Sequence, residues 1–223
     1  MTNSAPMEPR GTLNERRWGE VLQIASEVFG ERGYPAASLQ EIAERLGITK
    51  GSLYYYARTK EDLLFEILKR AHDHALTLIR EDPLTQGMSP GQRLERFIRR
   101  WMDGLQRQQY TALSGGPGGS RDSWTDFLSD DRRSRIIAKR HELNRYLLDM
   151  IRNGMAQGEF NPQLDAQHVT SWIFLLMNDT RLWFRAESMS WDYITDWYVT
   201  LVSRGLAPGS PDRVPIPSLD PSS

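Results

Sequence analysis

The chain has 223 residues, 39% of them hydrophobic, enough for a sizeable core; its formal net charge of −1 excludes a uniformly basic nucleic-acid coat and leaves only a local patch for such binding. Cysteine is absent, which excludes a disulfide framework and thiolate chemistry. The amino terminus MTNSAPMEPRG lacks the apolar stretch of a signal peptide, and no run approaches the roughly 18 apolar residues of a membrane span, so a cytoplasmic, bacterial-type protein without a membrane partner is expected.

After an arm at residues 1–13, expected to be disordered, helical periodicity begins at Asn14 with Trp18, Val21, Leu22, Ala25, Val28 and Phe29 on one face, and Gly33 stops it. Ser38 opens a second helix, with Glu41 three residues on to complete a capping box, Ile42, Ala43 and Leu46 facing inward, and Gly47 closing it. Thr49 caps a third short helix. Thr59 with Asp62 opens a fourth, whose Leu63, Leu64, Ile67, Leu68 and Ala71 keep the helical period.

Residues 38–56 thus carry the pattern of a helix-turn-helix: a capped helix, a Gly-bearing turn, and a second helix with one apolar anchor. With Leu53 turned to the core at about 100° per residue, Thr49, Tyr56 and Ala57 fall near it, Gly51 and Tyr55 point away, and Ser52 and Tyr54 lie on the flanks. Tyr54 and Tyr55 therefore project from a recognition helix, where a phenol offers a hydrogen bond to phosphate and a ring to sugar or a thymine methyl. Tyr56 packs, at least in part. Gly51 admits close approach of a duplex, and Lys50, Ser52 and Lys60 supply donors around it. Between Arg10 and Lys60 eight basic residues face six acidic ones, a surplus of only two, so the position of the cations matters more than their sum. The alternative is a helical protein-interaction module without sequence-specific DNA binding.

The run SLQEIAERLGITKGSLYYYARTKEDLL, following a helix that ends ASEVFGERGYPAAS, resembles the DNA-binding domain of the TetR family of bacterial transcriptional regulators over about residues 14–65. The resemblance implies that Lys50, Gly51, Ser52 and Tyr54 face base edges or sugar, and that Ser38, Tyr55 and Lys60 engage phosphates; with the cap Thr49 they form the candidate DNA-binding set. Ala57 departs from the family, which usually has phenylalanine there, so a packing anchor beneath the recognition helix is missing.

Further along, residues 92–109, about 132–158, 165–186 and 191–206 read as helices, separated by TQGMSPG, SGGPGGS, Gly158 and Asn161-Pro162. The chain is therefore expected to be all-α: a head at residues 14–60, a helical ligand-binding and dimerisation domain at 61–206, and a disordered tail rich in proline and serine at 207–223. Helix 165–186 carries Val169, Trp172, Ile173, Leu176, Thr180, Trp183 and Phe184 on one stripe, while Phe174, Leu175 and Met177 extend its apolar character, so it needs two partners. The next helix offers Trp191, Ile194, Trp197, Tyr198, Leu201 and Val202. In the family the last two long helices pair across a two-fold axis, which implies a homodimer matched to a palindromic operator.

Six of the seven tryptophans lie beyond residue 65, and an aromatic surplus suggests a cavity lined by Trp101, Trp124, Phe127, Tyr146, Met150, Met177, Asn178 and Arg181; core and dimer packing is the alternative for most of these rings. The polar cluster Asn178, Asp179, Thr180 and Arg181 must be satisfied by internal pairing, by the dimer mate or by a ligand. The stretch NGMAQGEFNPQLDAQHV is similar to the corresponding turn of TetR-like regulators of lipid and sterol breakdown, some of which sense acyl-CoA thioesters; that implies an amphipathic or aromatic inducer.

Catalysis is not expected. SGGPGGS lacks the G-K-[ST] ending of a phosphate loop, no G-x-S-x-G elbow occurs, and His72 and His74 diverge by about 200° on a helix and cannot share a metal. No cofactor or metal is expected either. The reading is a ligand-responsive TetR-like repressor whose two heads read a palindrome until an inducer changes their spacing.

Overall fold

The computed structural model describes residues 10–80, 87–107, 124–184 and 189–209, and among these every regular element is helical. In chain order they are α1 (Arg10–Arg32), α2 (Leu39–Arg45), α3 (Lys50–Leu53), α4 (Lys60–Arg80), α5 (Pro90–Gln106), a 3-10 turn (Trp124–Phe127), α6 (Asp130–Ala156), α7 (Ala166–Asn178), α8 (Thr180–Trp183) and α9 (Trp191–Leu206). They divide into two compact units. The first holds α1 to α3, α4 through His74, the 3-10 turn and α6 through Arg140; the second holds the remainder of α4 and α6 together with α5, α7, α8 and α9. The first unit therefore runs into α4 as far as His74, past the boundary expected at residue 60, and α1 begins at Arg10, inside the arm expected to be disordered.

In the first unit α1 buries Val21, Leu22, Ala25, Val28 and Phe29 against Ile42 and Ala43 of α2, Leu53 of α3 and Leu63, Leu64 and Leu68 of α4. The ends of these helices are fixed by local chemistry. Gly33, at φ +74°, takes the left-handed conformation that stops α1. Ser38 Oγ accepts from the Glu41 N–H at 3.1 Å, capping α2. The capping box does not close there, because the Glu41 carboxylate instead accepts from Arg32 at 3.1 Å and Arg45 at 3.2 Å. At the other end of α2 the N–H groups of Gly47 and Ile48 donate to the carbonyls of Glu44 and Ala43, with Gly47 at φ +66°, a Schellman closure. A full capping box opens α4: the Asp62 N–H donates to Thr59 Oγ1 at 3.1 Å, and the Thr59 N–H donates to the Asp62 carboxylate at 2.8 Å.

The start of α6 is bonded into this unit. Ser129 donates to Glu61 through both its N–H and its hydroxyl, and Arg132 reaches Asp62 at 2.5 Å. The two Ser129 bonds hold Glu61 below the usual carboxylate range. Burial raises Asp62, but its bonds to Arg132 and Thr59 outweigh that and leave it lowered too.

In the second unit α5 carries Leu94, Phe97, Ile98, Trp101, Met102 and Leu105 into the core, where it packs chiefly on α9 and also on α7. Its amino terminus is closed by a Ser89–Gln92 capping box and by Glu159, whose carboxylate accepts from Ser89 Oγ at 2.8 Å and the Gly91 N–H at 2.9 Å. The single helix expected over 165–186 is broken at Asp179. Asn178 Oδ1 accepts from the Trp101 indole N–H at 3.2 Å, and the buried Thr180 hydroxyl bonds both the Leu176 carbonyl and Tyr198 Oη, so tertiary bonds draw the chain out of a continuous helix. The loop SGGPGGS and the tail from residue 210 lie outside the described residues.

Candidate DNA-binding surface and ligand region

The recognition helix α3 is a single turn. Thr49 Oγ1 accepts from the Ser52 N–H at 3.1 Å and lies 2.9 Å from the Ser52 hydroxyl, so Thr49 acts first as a cap and the two hydroxyls order each other. Leu53 is wholly buried and fixes the inward side. Beyond it, Tyr54 is 44% and Tyr55 79% exposed, while Tyr56 is half-buried, the division of labour that the helical wheel implies. The Lys50 ammonium lies 5.7 Å from the Tyr54 ring centre. A Cβ on Gly51 would meet only Thr49 Oγ1 at 3.7 Å, an ordinary contact, so nothing inside the protein requires glycine there. Ser38 is exposed at the start of α2, its Oγ accepting in the α2 cap and its proton left to donate outward.

Lys60 behaves differently from its expected role as a phosphate donor. Its ammonium donates to the carbonyls of Tyr34, Pro35 and Ala37 at 2.8, 3.1 and 2.7 Å and lies 4.8 Å from the Tyr34 ring centre. All three of its N–H donors are engaged, which ties the α1–α2 loop to α4 and leaves none for a phosphate in this arrangement. A cation that sequence reasoning passed over is better placed. Arg58 is exposed next to the tyrosines, its backbone N–H is held by Asp62 at 3.0 Å, and its guanidinium has no ion-pair partner among the described residues. Its signal was available as a basic residue in the turn that follows the aromatic run.

The candidate ligand residues do not form one site. Trp101 and Asn178 come together in the second unit, where Trp101 packs on Phe97 and Phe174 at centroid distances of 5.7 and 5.2 Å, and Met177 is buried on α7 next to Asn178 in the chain. Phe97 and Phe174 were not among the sequence candidates, although the spacing of Phe97 and Trp101 by one helical turn was a readable signal. Tyr146 packs on Phe97 at 6.4 Å and, with Met150, lines a half-open groove of about 180 Å³ whose other walls are Met88, Pro90, Arg93, Asp149, Asn153 and Gln157. Trp124 and Phe127 belong to the first unit, packed on Phe29 at 6.3 Å and on Tyr34 at 4.7 Å, because the 3-10 turn that carries them joins the core of the head. They are therefore removed from the ligand set. The Arg181 side chain lies outside the described residues. Of the polar cluster, Asn178 and Thr180 are satisfied internally.

The last helices present apolar side chains in two directions. Val169, Ile173 and Met177 of α7 and Ile194, Tyr198 and Val202 of α9 are buried, yet Trp172 of α7 is 64% exposed and Leu175 58%, and Trp183, Tyr193, Trp197 and Leu201 are exposed as well. Trp172, expected on the same stripe as Val169 and Ile173, is turned outward while those two are buried, and stacks on His168 at 6.0 Å.

Against families of known proteins, the family described as bacterial regulatory proteins, tetR family, matches residues 21–67, and the tetracyclin repressor-like C-terminal domain matches residues 87–206. The transcriptional repressor KstR2 of Mycobacterium tuberculosis is 27% identical over 73% of this chain and 81% of its own length; the solved structure of that ketosteroid regulator superposes with a TM-score of 0.75 at 24% identity, covering 93% of this chain and 97% of its own. The transcriptional activator FasR of Mycolicibacterium smegmatis is 43% identical over 68 residues, 30% of this chain and 31% of its own. The solved structure of AibR with isovaleryl coenzyme A and operator DNA superposes with a TM-score of 0.70 at 23% identity, covering 83% of this chain and 97% of its own. No described helix is long and apolar enough to cross a membrane.

Proposed function

The chain belongs to the TetR family of bacterial transcriptional regulators, and from that premise we propose that it is a repressor: a homodimer that binds a palindromic operator and releases it when a small molecule occupies the carboxy-terminal unit. Members of this family are regulators, not enzymes. The observation that carries the DNA-binding reading is the pair Tyr54 and Tyr55, standing out from a capped helix-turn-helix between Lys50 and Arg58. Lys50, Gly51, Ser52 and Tyr54 read the major groove, Gly51 because its missing Cβ leaves room on the outer side only; Ser38, Tyr55 and Arg58 hold phosphates.

Repression, rather than activation, is supported by the relative whose match spans most of both chains, whereas the activator matches over little more than the head. An amphipathic inducer of acyl-CoA type is supported by the ligand named with AibR and by the apolar, aromatic interior around Trp101, Phe97 and Phe174. The groove beside Tyr146 and Met150, at about 180 Å³, is below the roughly 300–1,000 Å³ of a drug-sized site, so it takes one end of such a ligand and the aromatic cluster must part for the rest. Selection of binding sequences from random duplex DNA, repeated with short-chain and steroid-like acyl-CoA thioesters, tests both halves. A palindrome recovered only without thioester is the expected outcome, and recovery of no sequence would refute the DNA-binding reading.

A further inference from the structure

Three of the seven proposed contacts, Tyr54, Tyr55 and Arg58, lie beyond the end of the recognition helix. α3 stops at Leu53, and Tyr54 and Tyr55 sit in the turn that follows, where the N–H groups of Tyr54, Tyr55 and Ala57 still donate back to the carbonyls of Lys50, Ser52 and Leu53 and keep the backbone near helical. Leu53 and Ala57 anchor that turn from inside, and Ala57 contributes only a methyl group. What grips the turn from the side is aromatic. The Tyr56 ring stacks on the Trp18 indole of α1, with centroids 5.9 Å apart and planes 10° from parallel, and the Tyr55 ring meets Tyr56 edge-on at 5.4 Å and 87°. The Arg70 guanidinium of α4 lies 5.8 Å from the same indole and is itself paired with Glu66 at 3.1 Å. Trp18 and Tyr56 are both only partly buried, packed at the margin of the head's core.

Resting on the DNA-binding reading above, we infer that Trp18 and Tyr56 are positioning residues for operator recognition: the stack fixes the turn that carries Tyr54 and Tyr55, and Arg70 ties that placement to α4. Neither ring need touch DNA. Tyr56 gives Tyr55 an edge to lie against, and Trp18 gives Tyr56 a face, so Tyr55 and the turn it shares with Tyr54 are held before binding rather than ordered by it. Tyr55 then fixes the register of the head on its phosphate, and Tyr54 reads the groove from that register, at little ordering cost. Loss of the stack therefore degrades selectivity more than general affinity for DNA.

The full-length protein and a duplex that the wild type selects from a random pool provide the test, with a scrambled duplex of equal length as the non-specific reference. Tyr56→Phe keeps the ring and should behave as wild type. Tyr56→Leu and Trp18→Leu should each weaken binding of the selected duplex by about three- to tenfold, with affinity for the scrambled duplex and the salt slope unchanged. Because one stack is lost either way, the double variant should be no worse than the weaker single one. Should Trp18→Leu fail to fold, Trp18→Phe, which offers a smaller stacking face, takes its place beside Tyr56→Leu. A purely structural role predicts a lower melting temperature with the ratio of selected to scrambled binding preserved, and that result overturns the inference while leaving the DNA-binding reading intact. A wild type that enriches no sequence overturns both.

Discussion

Lys60 and Arg58 show how a cation's partners, more than its place in a motif, decide its work. Both are basic residues at the exit of the recognition segment, but Lys60 donates to three carbonyls of the α1–α2 loop, whereas Arg58 has no ion-pair partner among the described residues. Replacing Lys60 with methionine keeps the stem over Tyr34 and removes the three bonds; the expected outcome is a loss of about 1–3 kcal/mol in stability, read by denaturant titration, with the salt slope of operator binding unchanged. Arg58→Ala should do the reverse, lowering the salt slope by about one unit with an unchanged melting temperature. A salt slope that falls for Lys60→Met alone would restore Lys60 to the phosphate set. The motif spacing was legible in the sequence for both residues. The partners were not, because those of Lys60 lie 23 to 26 residues earlier in the chain.

Helix ends, by contrast, are set by neighbours in sequence, and there reading and structure agree at Gly33, Gly47, Thr49 and Thr59, while Ser38 caps α2 without the reciprocal bond expected from Glu41. The misread elements are those that tertiary bonds override. The apolar period runs on through Asn178 and Asp179, so the only local signals of the break between α7 and α8 are that polar run and the Thr180 hydroxyl, which bonds back to the Leu176 carbonyl; its other bonds come from Trp101 and Tyr198, distant in sequence. Trp124 and Phe127 could not be allotted to the head from composition, because what places them is contact with Phe29 and Tyr34. Two helical glycines make the same point with opposite signs. A Cβ on Gly154 of α6 would lie 2.0 Å from Phe160 Cδ2, whereas one on Gly30 of α1 meets nothing within 4 Å. Gly154→Ala should therefore destabilise by about 1–3 kcal/mol as Phe160 is displaced, and Gly30→Ala should stabilise by about 0.5–1 kcal/mol. Thermal melts of the two variants moving in the same direction would contradict this account.

At the scale of the whole molecule, stability and assembly respond to different conditions. His72 is buried with its imidazole against the Leu68 carbonyl at 2.7 Å, and burial lowers its pKa to about 4. The unfolded chain therefore takes up a proton that the folded one refuses. The stability this provides is complete above the ordinary histidine pKa of about 6.5 and is lost as pH falls from there to about 4, by up to about 3 kcal/mol, and His72→Phe should flatten that part of the stability profile. Assembly has another origin. Trp172, Leu175, Trp183, Tyr193, Trp197 and Leu201 are left exposed on helices whose other faces already fill the core, and together they offer several hundred Å² of apolar surface, against about 800 Å² per partner in a stable interface. In the homodimer proposed above, a two-fold axis brings the same patch of each copy against the other, so a charge placed there meets its own like. Replacing Trp197 and Leu201 together with glutamate should give a folded monomer that binds a single half-site weakly and has lost the steep operator affinity of the dimer, because linkage of two heads, not the contacts of one, supplies it. Sedimentation measures the first effect and titration of full and half operators the second; an intact dimer would move the interface away from α9.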